Sequence, residues 1–589
     1  MLWIKKSLNE KGLALPLVFL IAVVFVPVAI GLVVFLKQET IVTRRGKISV
    51  QSEQLVEGAA ARGLMGLKKR VKTDLAVNLS KIHYDNNQIA AYTTNPMDFI
   101  HDCLFDIGSA TDVHFSTAPG VNTATLTFSE DMETGSYSTT IIVSTTQAPT
   151  WDITGGGTGA PIANLFFKYQ VLAQSTSNDG NKISNMLIDS DSPNAVRSNG
   201  EFEIEIRKRN FAQYQYFANE FEDNAWYTGG TAGIGPIHYN DEIQFWGHPA
   251  NGNSTRFTDE ITSTSDTARF WPSGGSAYHI DADFYDNGDE IVGAGDVRPT
   301  FDAGFVRGID RIDMPTDVEG VPQMVDQQRA ALGLNTTAVV PECSDGVYVA
   351  NDGAHTTGGI YIQGDVDNMT MSIEGGGDRA VYTINHNNGT TYTIDVDMQN
   401  GYTRFNDGMG GNEDYTGTTN GVVFINSGGI DALSGTVQQD SQVTIAATET
   451  ISITNNLQYA DDPLTNPEAQ NVLGVISWEN DVLIAETAPS DIMIQAAVMA
   501  PQGTFQLENL LESDLRGDFY FLGSKIVNKS GCFSSFNSST GEYVNGYTGG
   551  GSCYDQRFLK GVLPPKFPLT DVYRATIIDF NNAPSWIRQ

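Results

Sequence analysis

The sequence predicts a mainly β protein, with a right-handed parallel β-helix body carried on one N-terminal transmembrane α-helix. Three observations lead to this prediction. Residues 13–36 carry no charged side chain. Glycine is abundant, with 59 residues, and glycine favours turns. Short strands of Val, Ile and Phe start roughly every 20 residues towards the C-terminus, as at Val423 and Val443, and this spacing is typical of stacked repeats.

The uncharged run reads LALPLVFLIAVVFVPVAIGLVVFL and contains 24 residues, from Leu13 to Leu36. As a helix it measures about 36 Å, which is enough to cross a bilayer core of about 30 Å. Basic residues flank the run on both sides, so the positive-inside rule does not fix its orientation. We place the body outside the cytoplasm because its β-rich composition and its cysteines suit that compartment.

Charge is unevenly distributed along the chain. The first 80 residues contain 12 Lys and Arg against 5 Asp and Glu, whereas the whole chain has a formal net charge of −35. The body is therefore strongly acidic. Because like charges repel, we expect no nucleic-acid partner and no acidic polysaccharide as the main ligand of the body.

The segment before the apolar run, MLWIKKSLNEKG, is short and basic and ends in Gly12. It resembles the class III leader of type IV prepilins, in which a membrane aspartic peptidase cleaves after the glycine. The resemblance implies a leader over residues 1–12 and a mature chain that begins at Leu13. The alternative is an uncleaved signal anchor, which the same apolar run would also provide.

A departure from the pilin pattern occurs at the fifth mature position. Major type IV pilins carry a Glu there, which pairs with the N-terminal amine of the neighbouring subunit, whereas this chain has Leu17. The resemblance therefore implies a subunit at a filament tip, or one with an accessory role in assembly, more than a subunit of the filament shaft.

Apolar residues continue beyond the run at helical spacing, as at Leu55, Ala59, Leu64 and Leu67. We predict a transmembrane and stalk helix over residues 13–80. The stretch ISVQSEQLVEGAAARGLMGLKKRV resembles the segment after the membrane helix in PilX-type pilus assembly proteins. A generic stalk helix would show the same spacing.

Past residue 80 the helical period fades. We predict a β-rich insertion over residues 81–200, the β-helix over 201–563 and a C-terminal tail over 564–589. A β-sandwich is the alternative architecture, but it requires cleaner hairpins. Only the stretch VYTINHNNGTTYTIDVD, from Val381 to Asp397, predicts one.

The order of several motifs between Phe202 and Tyr573 carries a second resemblance. These motifs include FEIEIRKRNFAQYQYFANEF, GPIHYNDEIQFWGHP, NVLGVISWENDVLI and YDQRFLKGVLPPKFPLTDVY. Their order resembles bacterial proteins with a PilX-type N-terminus and a C-terminal β-helix domain of unknown function. The resemblance implies a single-pass protein of the inner membrane with an extracytoplasmic body, incorporated in a surface pilus. The implied partners are other pilins or pseudopilins, the inner-membrane assembly platform and prepilin peptidase.

Four cysteines are present, and none of them forms a CxxC or zinc-binding pattern. Cys532 and Cys553 flank a loop rich in Gly, Ser and Asn, and we predict that they form a disulfide. The alternative is two free thiols. A bond between Cys103 and Cys343 follows only by elimination.

No catalytic motif occurs in the sequence, so we do not expect an enzyme and we expect no cofactor. A candidate calcium site is the stretch DADFYDNGDE, from Asp281 to Glu290. Its side chains Asp283, Asp286 and Asp289 supply oxygen ligands, but their spacing is not that of an EF-hand. A polar turn is the other interpretation.

We therefore predict a minor pilin-like component that displays an acidic β-helix for assembly or adhesion. Two alternatives stay open. One is a surface-anchored enzyme that acts on polysaccharides, with paired carboxylates such as Asp365 and Asp367 or Asp461 and Asp462. The other is a glycan-binding adhesin. Its contacts would be exposed aromatic residues such as Trp226, Trp246 and Trp478.

Overall fold

The computed structural model describes most of the chain. The described residues are 10–69, 86–100, 114–116, 123–132, 135–145, 148–152, 162–177, 183–188, 201–222, 225–227, 232–246, 256–271, 279–281, 299–315, 344–537, 540, 542–580 and 587–588. Within these ranges the chain forms a long N-terminal helix and large β-sheets, so the prediction of a mainly β protein with one N-terminal apolar helix is confirmed.

Three α-helices are described, all in the N-terminal part. They are α1 (Glu10–Lys69), α2 (Asn86–Thr94) and α3 (Pro96–Ile100).

The strands of the first half are β1 (His114–Ser116), β2 (Thr123–Met132), β3 (Gly135–Thr145), β4 (Thr150–Asp152), β5 (Ile162–Ser177), β6 (Ile183–Ile188), β7 (Glu201–Asn210), β8 (Tyr216–Glu220), β9 (Ala232–Gly233), β10 (Ile237–Tyr239), β11 (Gln244–Trp246), β12 (Arg256–Phe257), β13 (Ile261–Ser263), β14 (Ala268–Trp271), β15 (His279–Asp281), β16 (Thr300–Phe301) and β17 (Phe305–Val306).

The strands of the second half are β18 (Gly346–Asn351), β19 (Thr356–Gln363), β20 (Val366–Glu374), β21 (Arg379–His386), β22 (Thr391–Asp397), β23 (Tyr402–Asn406), β24 (Asn412–Thr416), β25 (Val422–Asn426), β26 (Ile430–Val437), β27 (Gln442–Ala447), β28 (Ile451–Tyr459), β29 (Val472–Ser477), β30 (Val482–Ile484), β31 (Ile492–Ala500), β32 (Phe505–Leu507), β33 (Leu515–Lys529), β34 (Ser534–Phe536), β35 (Tyr543–Cys553), β36 (Leu569–Phe580) and β37 (Ile587–Arg588).

An antiparallel sheet forms the first unit, which we call the helix-bearing sheet. It contains β1 to β7 with β36 and β37, and the long strand β5 lies at its centre. Alternate residues of β5, such as Leu165 and Phe167, are fully buried. They pack with Leu64 and Leu67 of α1, so this sheet and the C-terminal part of α1 share one hydrophobic core.

The second unit is built from parallel strands that lie side by side in three stacks. The first stack has the order β19, β25, β27, β29, β31, β33, β8, β10, β13 and β17. A second stack joins β20, β26, β28, β30 and β32, and a third joins the ends of β26 and β28 to β31, β33 and β35. Long strands such as β31 take part in two stacks.

The spatial order of the first stack differs from the order along the chain. One chain segment supplies β8 to β17, and a later segment supplies β19 to β33. The two segments meet where β33 pairs with β8 in parallel, with Lys525 beside Tyr216 and Val527 beside Ala218. We call this pairing the seam.

At the other end of the stacks the sheet changes to antiparallel pairing. Strands β20 to β24 form a meander, and β18 lies antiparallel to β19. The hairpin predicted over Val381–Asp397 is confirmed, because β21 and β22 pair around the turn at residues 387–390.

The stacks are inserted between two neighbouring strands of the helix-bearing sheet. β7 and β36 pair antiparallel, with Asn210 beside Leu569 and Phe202 beside Phe580. From the sequence we placed residues 201–210 with the β-helix and 569–580 in the tail. In the structure both strands belong to the sheet that contacts α1. The chain leaves this sheet after β7 and returns to it at the neighbouring strand β36.

The central strands of the first stack, β25, β27, β29 and β31, are buried on both faces. Residues such as Val475 and Val498 point into the core that the three stacks share. Their neighbours Ile476 and Met499 point outward, where they are covered by Phe211, Tyr554, Phe558 and Phe567. Burial on both faces explains why these strands read as continuous apolar runs in the sequence.

Candidate functional site

The helix α1 divides into an exposed part and a packed part. Apolar side chains between Val23 and Leu36 are about half exposed or more, and the 20 residues Phe25–Arg44 form a segment that is long and apolar enough to cross a membrane. Nothing in the described protein covers this segment. Exposure of this much apolar surface to water is unfavourable, so the segment requires lipid or other protein around it.

The C-terminal part of α1 is held closely against the helix-bearing sheet. Val56, Ala59 and Ala60 are buried, and the Thr139 hydroxyl of β3 donates a hydrogen bond of 2.9 Å to the Ala59 carbonyl. Gly63 lies so close to the sheet that an added Cβ would be 2.4 Å from Thr139 Cγ2. Small residues therefore set how closely the helix and the sheet approach each other.

The predicted processing residues Gly12 and Leu13 and the filament-position residue Leu17 lie on α1, whose backbone is helical from Glu10 onwards. Their predicted roles depend on a peptidase and on neighbouring subunits, so these roles stay predictions.

Two of the four cysteines lie in the described part of the chain. Cys532 and Cys553 are both half-buried, and both thiols are free in the structure. Cys532 follows β33, where burial raises the pKa of its thiol, and Cys553 ends β35 beside Leu522. The disulfide between them stays a prediction. Cys103 and Cys343 lie outside the described residues.

The calcium candidates Asp283, Asp286 and Asp289 lie outside the described residues as well. Among the residues that are described, no group of three or more His, Cys, Asp or Glu side chains is placed to hold a metal ion.

The candidate carboxylate pairs differ in their surroundings. Asp431 of β26 lies near Asp365 and Asp367, and its pKa is raised by burial and by the charges of these two carboxylates. Asp461 and Asp462 accept hydrogen bonds from residues of their own turn, so they stabilise a loop.

One predicted glycan contact is wrong. Trp478 is only 3% exposed and belongs to the core on the outer face of the first stack, so it is not available to a ligand. Trp478 directly follows β29, and the apolar run of that strand does not reveal which outward residues a covering segment buries.

The two units meet where the chain leaves β7 and returns to β36, and we call this place the joint. Buried polar groups stabilise it. The Asn210 amide donates to the Phe567 carbonyl over 3.0 Å, and the Gln213 amide donates to the Phe558 carbonyl over 3.1 Å. These bonds connect the chain leaving β7 with the chain returning to β36. Because buried polar groups lose water, paired partners of this kind fix one arrangement of the joint.

A buried ion pair lies beside this joint. The Asp555 carboxylate and the Arg557 guanidinium are 2.6 Å apart, with side chains 1% and 4% exposed. Arg557 also donates to the Ala469 carbonyl over 2.8 Å. This pair therefore connects the returning chain to the loop before β29.

The seam contains an unusual charged residue. Ten residues in register line the interior of the first stack, and nine of them are apolar or aromatic: Ile360, Val423, Ile445, Val475, Val498, Lys525, Tyr216, Ile237, Ile261 and Phe305. Lys525 is only 8% exposed. Sequence reasoning missed it, although a Lys within the apolar strand FYFLGSKIV was a visible signal.

Aromatic rings surround the Lys525 amine. Its Nζ lies 4.5 Å from the centroid of Phe521, 4.8 Å from Phe533 and 5.4 Å from Phe519. In the described part of the chain it forms no hydrogen bond or ion pair. Burial lowers the pKa of Lys525 to about 7, because the charged form loses its hydration.

Buried tyrosines continue from the seam. The hydroxyls of Tyr227 and Tyr239 are 2.9 Å apart, and the rings of Tyr216 and Tyr239 stack at 5.3 Å. Burial raises the pKa of Tyr216 to about 12, so these phenols are neutral at physiological pH. The arrangement is a packed interior and not an acid–base pair open to substrate.

Comparisons with known proteins give limited matches. The sequence model of a domain of unknown function (DUF4900) matches residues 165–265, from within β5 to just beyond β13. No curated protein matches the chain. The crystal structure of the competence-associated pilin ComZ from Thermus thermophilus is similar over 92% of this chain and 98% of that chain, at 13% identity and a TM-score of 0.28. A TM-score of this size supports no further inference.

Proposed function

We propose that the protein is a minor, pilin-like structural subunit of a type IV pilus or a related secretion or assembly machine. The observation that carries this proposal is the division of α1. Its N-terminal part is apolar and uncovered, whereas its C-terminal part is packed on the helix-bearing sheet. Such a helix anchors its own domain while it leaves one apolar surface for lipid or for neighbouring helices.

The proposal includes the processing of the N-terminus. Prepilin peptidase cleaves between Gly12 and Leu13, and Leu17 then takes the position of the shaft pilins' Glu. The subunit starts as a single-pass protein of the inner membrane with its body outside the cytoplasm. It then joins other pilins or pseudopilins through the assembly platform, at a tip or in an accessory position. PilX-type proteins are the relatives that the N-terminal sequence resembles.

We propose further that the three stacks are the sides of one right-handed parallel β-helix. The registers support this, because the interior column through Val498 and Lys525 of the later segment continues into Tyr216 and Ile237 of the earlier one at the seam. The role is display of this body, which requires neither a catalytic residue nor a cofactor. An experimental map of the stacks would test the closure of the three sides and their handedness.

The membrane role is tested by a charge on the exposed part of α1. Ile30 is 59% exposed on the helix, and Met409 is 82% exposed on the meander. An Asp at the centre of a membrane helix costs about 2.5–3.5 kcal/mol on insertion scales. We expect Ile30→Asp to reduce recovery in the membrane fraction and Met409→Asp to leave it unchanged. Equal recovery of the wild type, Ile30→Asp and Met409→Asp in the membrane fraction contradicts membrane attachment through α1.

The pilus role is tested in the native host by deletion of the gene. We expect loss or change of surface filaments, motility or adhesion, with recovery by the wild-type gene but not by the Ile30→Asp variant. Unchanged filaments, motility and adhesion in the deletion strain contradict the proposed role.

A further inference from the structure

An exposed tyrosine lies on the outer face of the third stack. Met493, Tyr520 and Gly551 stand side by side in register on β31, β33 and β35. The neighbours of Tyr520 in sequence, Phe519 and Phe521, point into the core, so Tyr520 points outward. It is 45% exposed. In the described structure its ring contacts no other aromatic ring and no cation.

The Tyr520 side chain is held by the carboxylate of Asp518, and the carboxylate of Asp491 lies next to Asp518. Its hydroxyl donates a hydrogen bond of 2.8 Å to Asp518 Oδ2. The backbone N–H of Asp518 in turn donates to Asp491 Oδ1 over 2.8 Å. Asp518 lies on β33, and Asp491 directly precedes the neighbouring strand β31, so the two carboxylates lie close together beside Tyr520. Asp491 is exposed, so it can accept hydrogen bonds from a molecule placed on the ring.

Three consecutive glycines of β35 lie in register with Asp518, Phe519 and Tyr520, and the first two are required by the fold. A Cβ at Gly549 would be 2.2 Å from Asp518 Oδ1, and Gly550 has a φ of +100° with a Cβ position 2.1 Å from the Phe519 carbonyl oxygen. Gly551 differs, because a Cβ there would meet no atom within 4 Å. Its missing side chain leaves an open shelf next to the Tyr520 ring.

These features fit one class of ligand. The face of an aromatic ring is electron-rich and attracts the polarised C–H groups on the flat side of a pyranose ring. The neighbouring carboxylates accept hydrogen bonds from sugar hydroxyls. A formal net charge of −35 disfavours sulfated or uronic-acid chains. We propose that Tyr520, with Asp491, Asp518 and the shelf at Gly551, is a binding site for a pyranose unit of a neutral polysaccharide.

This site goes beyond the proposed display role and does not depend on it. The test uses the full-length protein in nanodiscs and four neutral probes: hydroxyethyl cellulose, xylan, mannan and dextran. Binding is measured by biolayer interferometry. We expect the wild type to bind at least one probe. Tyr520→Ala should weaken that binding at least tenfold, whereas Tyr520→Phe should retain most of it because the ring face remains.

A second variant tests the shelf without disturbing the fold. Gly551→Leu places a side chain beside the ring where the backbone has free space, and it should weaken binding at least tenfold with an unchanged unfolding temperature. The matched control is Tyr543→Ala, because Tyr543 is 44% exposed at the other end of β35. It should bind as the wild type does. Three results overturn the proposal: no neutral probe binds, the Tyr520→Ala and Gly551→Leu variants bind normally, or Tyr543→Ala loses binding equally.

Discussion

Lys525 lies beside Tyr216 in parallel register at the seam, so a buried amine stands where the two chain segments of the first stack meet. The next interior positions are Val498 on one side and Ile237 on the other. A cation in this column is costly because burial removes its hydration, and nearby aromatic faces compensate only in part. Lys525 is therefore a source of pH-dependent stability.

The direction of this pH dependence follows from the lowered pKa. Lys525 titrates at about 7 in the folded chain and at its ordinary value of 10.5 when unfolded. Between these values the unfolded chain binds a proton that the folded chain does not, so the free energy of unfolding rises with pH. Below about pH 7 both states are protonated, and the penalty is then complete and constant.

We expect Lys525→Met to raise the stability at pH 7 by about 1 kcal/mol or more, since an apolar side chain of similar length replaces a buried charge. The variant should also lose the rise in unfolding temperature that the wild type shows between pH 7 and 9. Thermal unfolding in detergent, followed by intrinsic fluorescence, measures both effects. The control Lys529→Met removes a half-exposed amine that pairs with Glu222, and it should keep the wild-type slope. A wild-type slope in Lys525→Met would show that Lys525 does not titrate in this range.

The two glycines Gly58 and Gly63 of α1 predict opposite effects of the same substitution. A Cβ at Gly58 meets nothing within 4 Å, so Gly58→Ala should stabilise the helix by up to about 1 kcal/mol. A Cβ at Gly63 would meet Thr139 at 2.4 Å, so Gly63→Ala should destabilise by about 1–3 kcal/mol through overpacking. Unfolding temperatures of the two variants provide the comparison. Stabilisation by Gly63→Ala would contradict the close approach of helix and sheet.

We expect a large loss of stability when the buried ion pair between Asp555 and Arg557 is broken. Asp555→Ala leaves the Arg557 charge buried without its carboxylate, which costs about 3–5 kcal/mol. The matched control is Asp414→Ala, which breaks an exposed pair with Arg404 on the meander and should change the unfolding temperature little. Chemical denaturation of Asp555→Ala and Asp414→Ala distinguishes the two effects. Equal denaturation midpoints of the two variants would show that the Asp555–Arg557 pair does not stabilise the joint.

The disulfide between Cys532 and Cys553 is testable on protein isolated without reductant. If it forms in the native compartment, mass spectrometry of a digest should recover the two cysteine peptides linked, and prior reduction should separate them. Quantitative alkylation of both thiols without reduction would show instead the free thiols of the structure.

The sequence predicted α1 well because an uncharged run and helical spacing are local signals. It also located strands of the first stack, since β25 and β27 contain the predicted starts Val423 and Val443. The register was not predictable from these starts. Val423 lies beside Ile445 and not beside Val443, because loops of different length separate the strands.

The sheet to which β7 belongs could not be predicted from its local sequence, for a different reason. Its alternating residues Phe202, Ile204 and Ile206 fit any strand with one buried face. Only long-range pairing with β36 places β7 in the helix-bearing sheet. The same limit applies to Trp478 and Tyr520. Tyr520 points outward from β33 and Trp478 directly follows β29, and only the returning chain near Phe558 decides that Trp478 is covered while Tyr520 stays exposed.

The central claim is that α1 belongs to a processed, pilin-like subunit. The most direct test is mass spectrometry of the mature N-terminus, on protein isolated from the membranes of its native host. The account predicts that the chain begins at Leu13, with or without an N-methyl group, because peptidase has removed the leader after Gly12. An intact N-terminus at Met1 would contradict it and would leave an uncleaved membrane anchor.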